Sequence, residues 1–159
     1  MEPTLANGER VLVVKYPFGL TLPAADHAIF SWADPNAGDV VILSSPLDST
    51  DLVKRVVGLP GDLVEIRDDS VLVNGRAIST GRSGRCDEVA GAPCEWREEQ
   101  VGDAAWRTRF TPGNLRESQP PTIVPPGHIY VLGDHRDRSN DSRFFGAVPT
   151  DRLRGRVVM

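Results

Sequence analysis

The chain has 159 residues, 40% of them hydrophobic and 25% charged, with a formal net charge of −4, which is the scale of one globular domain or a small core carrying a lobe. Fifteen Gly, thirteen Pro and only 6% aromatic residues point to many turns and short elements and exclude a helical bundle. The acidic balance excludes a general nucleic-acid binder, which needs a basic face to collect phosphates, and no stretch approaches the roughly 18 apolar residues of a membrane span or forms a basic-then-apolar leader.

In chain order, short β-branched runs at 11–14, 40–43, 53–57, 63–66, 71–73, 129–132 and 157–158 predict strands. Turn signals bound them: Asn7-Gly8, Gly38-Asp39, Pro60-Gly61-Asp62, Asn74-Gly75, Pro126-Gly127 and Gly133-Asp134. The chain is therefore mostly β. Helix is a minor component, with one turn over 150–153 after Pro149 and Thr150 as its N-cap. Arg152, Arg154 and Arg156 read as one solvated strand face. Composition shifts near residue 79, and 79–121 reads as a polar lobe with the exposed-looking aromatics Trp96, Trp106 and Phe110, inserted between core segments 1–78 and 122–159. Within it Cys86 and Cys94 are spaced for a local disulfide, which fits an oxidising compartment; two free thiols are the alternative, and a zinc site lacks partners in register.

Two constellations carry chemistry. Strand alternation sets Lys54 on one face with Leu52 and Val56, and Val53, Arg55 and Val57 on the other. An edge lysine, or one that snorkels to water, is the plain reading. Yet sixteen cationic positions are Arg and only Lys15 and Lys54 are Lys, so an amine kept where guanidinium is the habit suggests a titratable group. Burial between apolar side chains is what lowers a lysine pKa from about 10.4 toward the range of a general base. The second constellation is the loop Gly133-Asp134-His135-Arg136-Asp137-Arg138-Ser139-Asn140-Asp141-Ser142-Arg143 behind the strand at 129–132. A solvated turn held by its own Asp–Arg pairs is the plain reading here. A calcium loop fails on spacing, since no Gly and no closing Glu fall where an EF-hand needs them. A Ser-His-Asp triad using His135 with Asp134 or Asp137 lacks a G-x-S-x-G elbow. His27 and His128 read as structural.

Three segments together resemble the bacterial type I signal peptidases, membrane-anchored Ser-Lys proteases. Met1-Glu2-Pro3-Thr4-Leu5 is similar to the family's S-M-x-P-T-L box without its first letter. Lys54-Arg55-Val56-Val57-Gly58-Leu59-Pro60-Gly61-Asp62 is similar to K-R-x-x-G-x-P-G-D, and residues 133–143 to G-D-N-R-x-x-S-x-D-S-R, with His135 in place of Asn. The resemblance spans 1–78 and 122–159.

The resemblance implies an antiparallel β-sheet or partly open barrel as the catalytic core, with a small inserted lobe. It implies Lys54 as general base, Ser139 holding its amine, Asp141 and Arg143 shaping the loop, and Met1, Leu5, Leu52 and Val53 lining shallow pockets for small side chains, as in Ala-x-Ala. Signal peptides of exported preproteins would be the substrates and the membrane surface a partner, touched by Tyr16-Pro17-Phe18-Gly19-Leu20 with Ile29, Phe30 and Trp32. The implied protein is a monomer without metal or cofactor, anchored at the extracytoplasmic face of the inner membrane. The family's nucleophilic serine immediately precedes the Met that is residue 1 here, so this chain holds no nucleophile and is expected to be inactive in this form. The anchor and the second oxyanion-hole position would lie further upstream, and a motif methionine mistaken for a start codon accounts for all three. A non-catalytic homologue that binds extended peptides by strand addition is the alternative, and the boxes leave open a related peptidase that matures conjugation or pilus components.

Overall fold

The computed structural model describes residues 1–5, 8, 10–15, 34–48, 50–68, 70–89, 92–111 and 118–158. The first strands are β1 (Leu12–Val14), β2 (Val40–Ser44), β3 (Asp51–Gly58), β4 (Leu63–Arg67) and β5 (Ser70–Val73). They are followed by β6 (Arg76–Ala77), β7 (Ser79–Val89), β8 (Ala92–Val101), β9 (Ala104–Phe110) and β10 (Gln119–Ile123). The chain closes with β11 (His128–Leu132), the one-turn helix α1 (Ser142–Phe145), β12 (Val148–Pro149) and β13 (Leu153–Val158), with 3₁₀ turns at Arg136–Arg138 and Thr150–Arg152. Each of the seven apolar runs is a strand.

Among the described residues the strands make three antiparallel sheets in the orders β1-β13-β2-β3-β11-β12, β10-β4-β5-β6 and β7-β8-β9, and none of these closes into a barrel. The β5–β6 hairpin turns on Asn74 and Gly75, both at positive φ (53° and 77°), the geometry that makes Asn-Gly the preferred two-residue hairpin loop.

β3 is the pivot of the core. It lies between β2 and β11 and is buried over its second half. Val56 joins Val41, Leu43, Ile129, Val131, Val148 and Leu153 on one face, while Val57 joins a second cluster with Val64, Ile66, Tyr130, Leu132 and Trp106 on the other. A strand covered on both sides reads as a continuous apolar run, which is why Lys54 and Arg55 stand out in it.

Three expectations need correction. Trp106 and Phe110 are each only 6% exposed, because β9 alternates and turns both inward. The helical turn near the C-terminus is a 3₁₀ turn over Thr150–Arg152 with Pro149 as N-cap; the Thr150 hydroxyl instead donates to the Gly127 carbonyl at 3.1 Å. The arginines of 152–156 are half-buried rather than fully solvated, and Arg156 pairs with Asp39 at 3.6 Å. The apolar stretch at 16–20, with Ile29, Phe30 and Trp32, and also His27, lies outside the described residues.

Candidate active site

Lys54 sits opposite Val41 in the β2–β3 register, and Arg55 opposite Leu132, the last residue of β11. Gly133, one step further, therefore leaves the sheet beside Lys54. The lysine's own face of the sheet carries Val41, Val56 and Val131, each fully buried. Burial lowers the Lys54 pKa from its ordinary 10.5; Asp141 and Asp134 pull the other way and Arg143 adds to the lowering. The net direction favours a neutral amine, the form that accepts a proton. No ion pair joins Lys54 to a carboxylate among the described residues.

The loop after β11 is organised by Asp141, which is fully buried. Its Oδ2 accepts from the Gly133 amide at 2.9 Å. The Arg143 guanidinium donates to Oδ1 and Oδ2, both at 2.7 Å, in a bidentate pair. Asp141 is also the N-cap of α1, accepting from the Arg143 amide at 3.3 Å. Burial by itself raises the Asp141 pKa, but the Arg143 guanidinium and the Gly133 amide outweigh it and hold the carboxyl below its ordinary 3.8. Arg143 also donates to the Arg136 carbonyl at 2.7 Å, and the Val131 amide donates to Ser142 Oγ at 2.9 Å. The loop is thus closed on itself and pinned to β11.

Ser139 lies inside that closure. It packs directly on Gly133, where a Cβ would overlap its Oγ and Cβ. Its hydroxyl is near enough to Asp141 to favour the ionised carboxyl, yet it is buried and makes no hydrogen bond of ordinary geometry among the described residues. A buried hydroxyl without a partner is uncommon, because its desolvation goes uncompensated.

Arg55 and Asp134 form a second buried pair, 3% and 1% exposed. Arg55 Nε donates to Asp134 Oδ1 at 2.8 Å and Nη2 to Oδ2 at 2.7 Å. Arg55 Nη1 donates to the Gly38 carbonyl at 2.8 Å, and the guanidinium stacks over Trp106 at 5.0 Å. The pair also captures the N-terminal segment: Arg55 Nη2 donates to Thr4 Oγ1 at 2.9 Å, and Thr4 Oγ1 donates to Asp134 Oδ2. Arg109 of β9 pairs with Glu2 at 2.7 Å, while its amide donates to the Asp134 carbonyl at 2.8 Å. His135 lies 3.9 Å from Glu2; burial lowers its pKa from the ordinary 6.5.

Of the residues singled out in the sequence, Lys54, Asp141 and Arg143 are brought together, with Ser139 in the same loop. Leu52 lies on the Lys54 face and packs against the core, whereas Val53, by alternation, points to the opposite face. Met1 and Leu5 are half-buried, and the Leu5 amide donates to the Met1 carbonyl at 3.1 Å. The described contacts of residues 1–5 with the rest of the fold run to Arg55, Asp134, Arg109 and His135, not to Lys54. Cys86 and Cys94 face each other across β7 and β8 and are bonded, with Cα atoms 5.1 Å apart.

Sequence reasoning missed Glu99 and Arg109 as parts of the site, and it placed Arg136 in the loop at 133–143 without its partner. Glu99 is buried and paired with Arg136, and it accepts from Trp106 Nε1 at 3.2 Å. For Arg109 the signal was the alternation Trp106-Arg107-Thr108-Arg109-Phe110, which marks a half-buried strand; Glu99 had no such local signal. Among the described residues no three His, Cys, Asp or Glu side chains are grouped to hold a metal ion, and no helix is long and apolar enough to cross a membrane.

The family described as signal peptidase, peptidase S26, matches residues 1–159. A signal peptidase I of Pseudomonas fluorescens is 34% identical over 99% of this chain and 60% of its own length, and one of Pseudomonas aeruginosa is 34% identical over 96% and 55%. The crystal structure of a signal peptidase I from Enterococcus faecalis is 30% identical, with a TM-score of 0.51, over 81% of this chain and 100% of that one. The chain thus spans 55–60% of the length of the two Pseudomonas relatives.

Proposed function

The chain belongs to the signal peptidase family, peptidase S26, and from that premise we propose that it is the catalytic part of a serine endopeptidase that removes signal peptides from exported preproteins. In this reading residues 1–78 and 122–159 are the catalytic core and 79–121 an inserted lobe. The nucleophile is a serine that immediately precedes Met1 in the full-length protein. Lys54 Nζ takes the hydroxyl proton as the serine oxygen attacks the scissile carbonyl. The amine then delivers that proton to the leaving amino group, and water hydrolyses the acyl-serine by the same route. Ser139 orients the amine of Lys54, and the Asp141–Arg143 pair keeps Ser139 in place. Leu52, Val53, Met1 and Leu5 bound pockets that admit small side chains, giving cleavage after Ala-x-Ala. The protein acts as a monomer on the extracytoplasmic side of the inner membrane, held there by an upstream anchor.

The observation that supports this most directly is a half-buried strand lysine with a lowered pKa, beside a buried loop carboxylate–arginine pair and an orphaned serine hydroxyl. The test is the full-length protein carrying that serine, given a peptide with Ala-x-Ala before the scissile bond. Cleavage after the second alanine is expected, with activity rising with pH through a midpoint below 10.5. Lys54→Arg should lower kcat by about 10²- to 10⁴-fold, the contribution of a general base. Absence of a serine codon before Met1, or peptide binding without cleavage, would instead assign a peptide-binding module.

A further inference from the structure

The N-terminal segment is held at two points, and one of them lies in the polar sheet β7-β8-β9. Thr4 is fixed from the core side by Arg55 and Asp134. Glu2 is fixed by Arg109 at 2.7 Å, with side chains 35% and 15% exposed, so the pair is largely withdrawn from solvent screening. Arg109 is itself immobilised. Its amide donates to the Asp134 carbonyl, Arg109 bridges His135 in parallel fashion, and Phe110 next to it is buried. Arg109 Nε is buried with no partner among the described residues, so the pairing through Nη1 is what compensates the burial of this guanidinium.

We propose that Arg109 is a positioning residue: through Glu2 it fixes the residue that precedes Met1, and so sets the distance between the nucleophile and Lys54. The inference rests on the reading above for its catalytic consequence. Its structural half stands on the Arg109–Glu2–Asp134 geometry alone. Consecutive Cα atoms are about 3.8 Å apart, so the residue before Met1 is only two steps from Glu2. Thr4 is four steps away and by itself leaves slack there. A displacement of about 1 Å at a reacting atom lowers a rate by up to about 100-fold.

The experiment uses the full-length protein with Glu2→Gln, Arg109→Gln, both together, and Arg109→Lys. The expected result is a fall in kcat of about tenfold in each Gln variant with KM unchanged. The double variant should be no slower than either single, because both remove one interaction, and Arg109→Lys should recover most of the rate. Hydrogen exchange at the Leu5 amide, which bonds to the Met1 carbonyl, should accelerate in both Gln variants. Singles at the wild-type rate, a double variant slowed by the product of the two singles, or an effect on KM alone would overturn the proposal. A wild-type protein that never cleaves would defeat the peptidase reading. Exchange at Leu5 then decides the Arg109 inference alone: acceleration upholds its hold on the segment, and unchanged exchange overturns it.

Discussion

Ser139 is the residue whose surroundings make least sense as pure architecture. Its hydroxyl is buried without a hydrogen bond of ordinary geometry, in a pocket that exists because residue 133 lacks a Cβ. Deleting a buried hydroxyl that makes no hydrogen bond of ordinary geometry removes a desolvation penalty, set against only the small support it lends the Asp141 carboxylate. Ser139→Ala should therefore leave stability within about 1 kcal/mol of wild type or raise it, while lowering kcat if the hydroxyl orients Lys54. Gly133→Ala should do the reverse to stability. Its methyl group overlaps Ser139, and forcing it in costs about 1–3 kcal/mol. Urea midpoints for the two variants beside their kcat values check both. A Ser139→Ala variant that loses stability and keeps full activity would make this serine a structural residue.

At the scale of the element, β8 and β9 matter more than their composition suggests. Arg136, 3% exposed, meets its only described carboxylate in Glu99 of β8, and the Thr111 amide donates to Asp137, so this sheet holds the loop that carries Ser139 and Asp141. Glu99→Ala would leave a buried guanidinium without its counter-charge, a loss of about 3–5 kcal/mol. Replacing Cys86 and Cys94 by Ser opens a loop of eight residues' separation, worth at most about 2–3 kcal/mol in the chain-entropy model. Denaturant titration of both variants should thus rank Glu99→Ala as the more damaging, and the opposite order would show that the disulfide, not the buried pair, organises the sheet. The cysteines were the legible feature of 79–121 because their chemistry is local. Glu99 was not legible because its partner lies 37 positions away and only the fold brings them together. The same division holds elsewhere. β2, β3 and β11 could be read directly from their β-branched runs, and Lys54 from its place in one. β10, with Pro120 and Pro121, could not, since prolines argue against a strand except at an edge, and β10 is an edge of its sheet.

Across the whole molecule the loop after β11 gathers buried charge against β3 and β8, so acid should weaken the fold in two separable steps. His135 faces Glu2, Asp137, Arg138 and Arg109, and burial sets its folded pKa below 6.5. Between those two values the unfolded chain binds the proton and the folded chain does not, so stability falls as protons are added. The His135 contribution is complete above pH 6.5 and is lost as the pH drops through that value toward the folded pKa. Asp141 behaves alike one range lower. Its folded pKa lies below 3.8, so its contribution is full above 3.8 and disappears as the pH falls through the folded value, when the bidentate Arg143 pair and the Gly133 bond lose their ionised acceptor. Urea midpoints measured from pH 8 to pH 3 should descend first below 6.5 and again below 3.8. In His135→Asn, which removes the titrating imidazole and keeps a hydrogen-bonding side chain, the upper step should vanish and the lower one remain. An identical descent in both proteins between pH 6.5 and 5 would show that some other group carries the upper step and that His135 sits in the site without being felt by the fold.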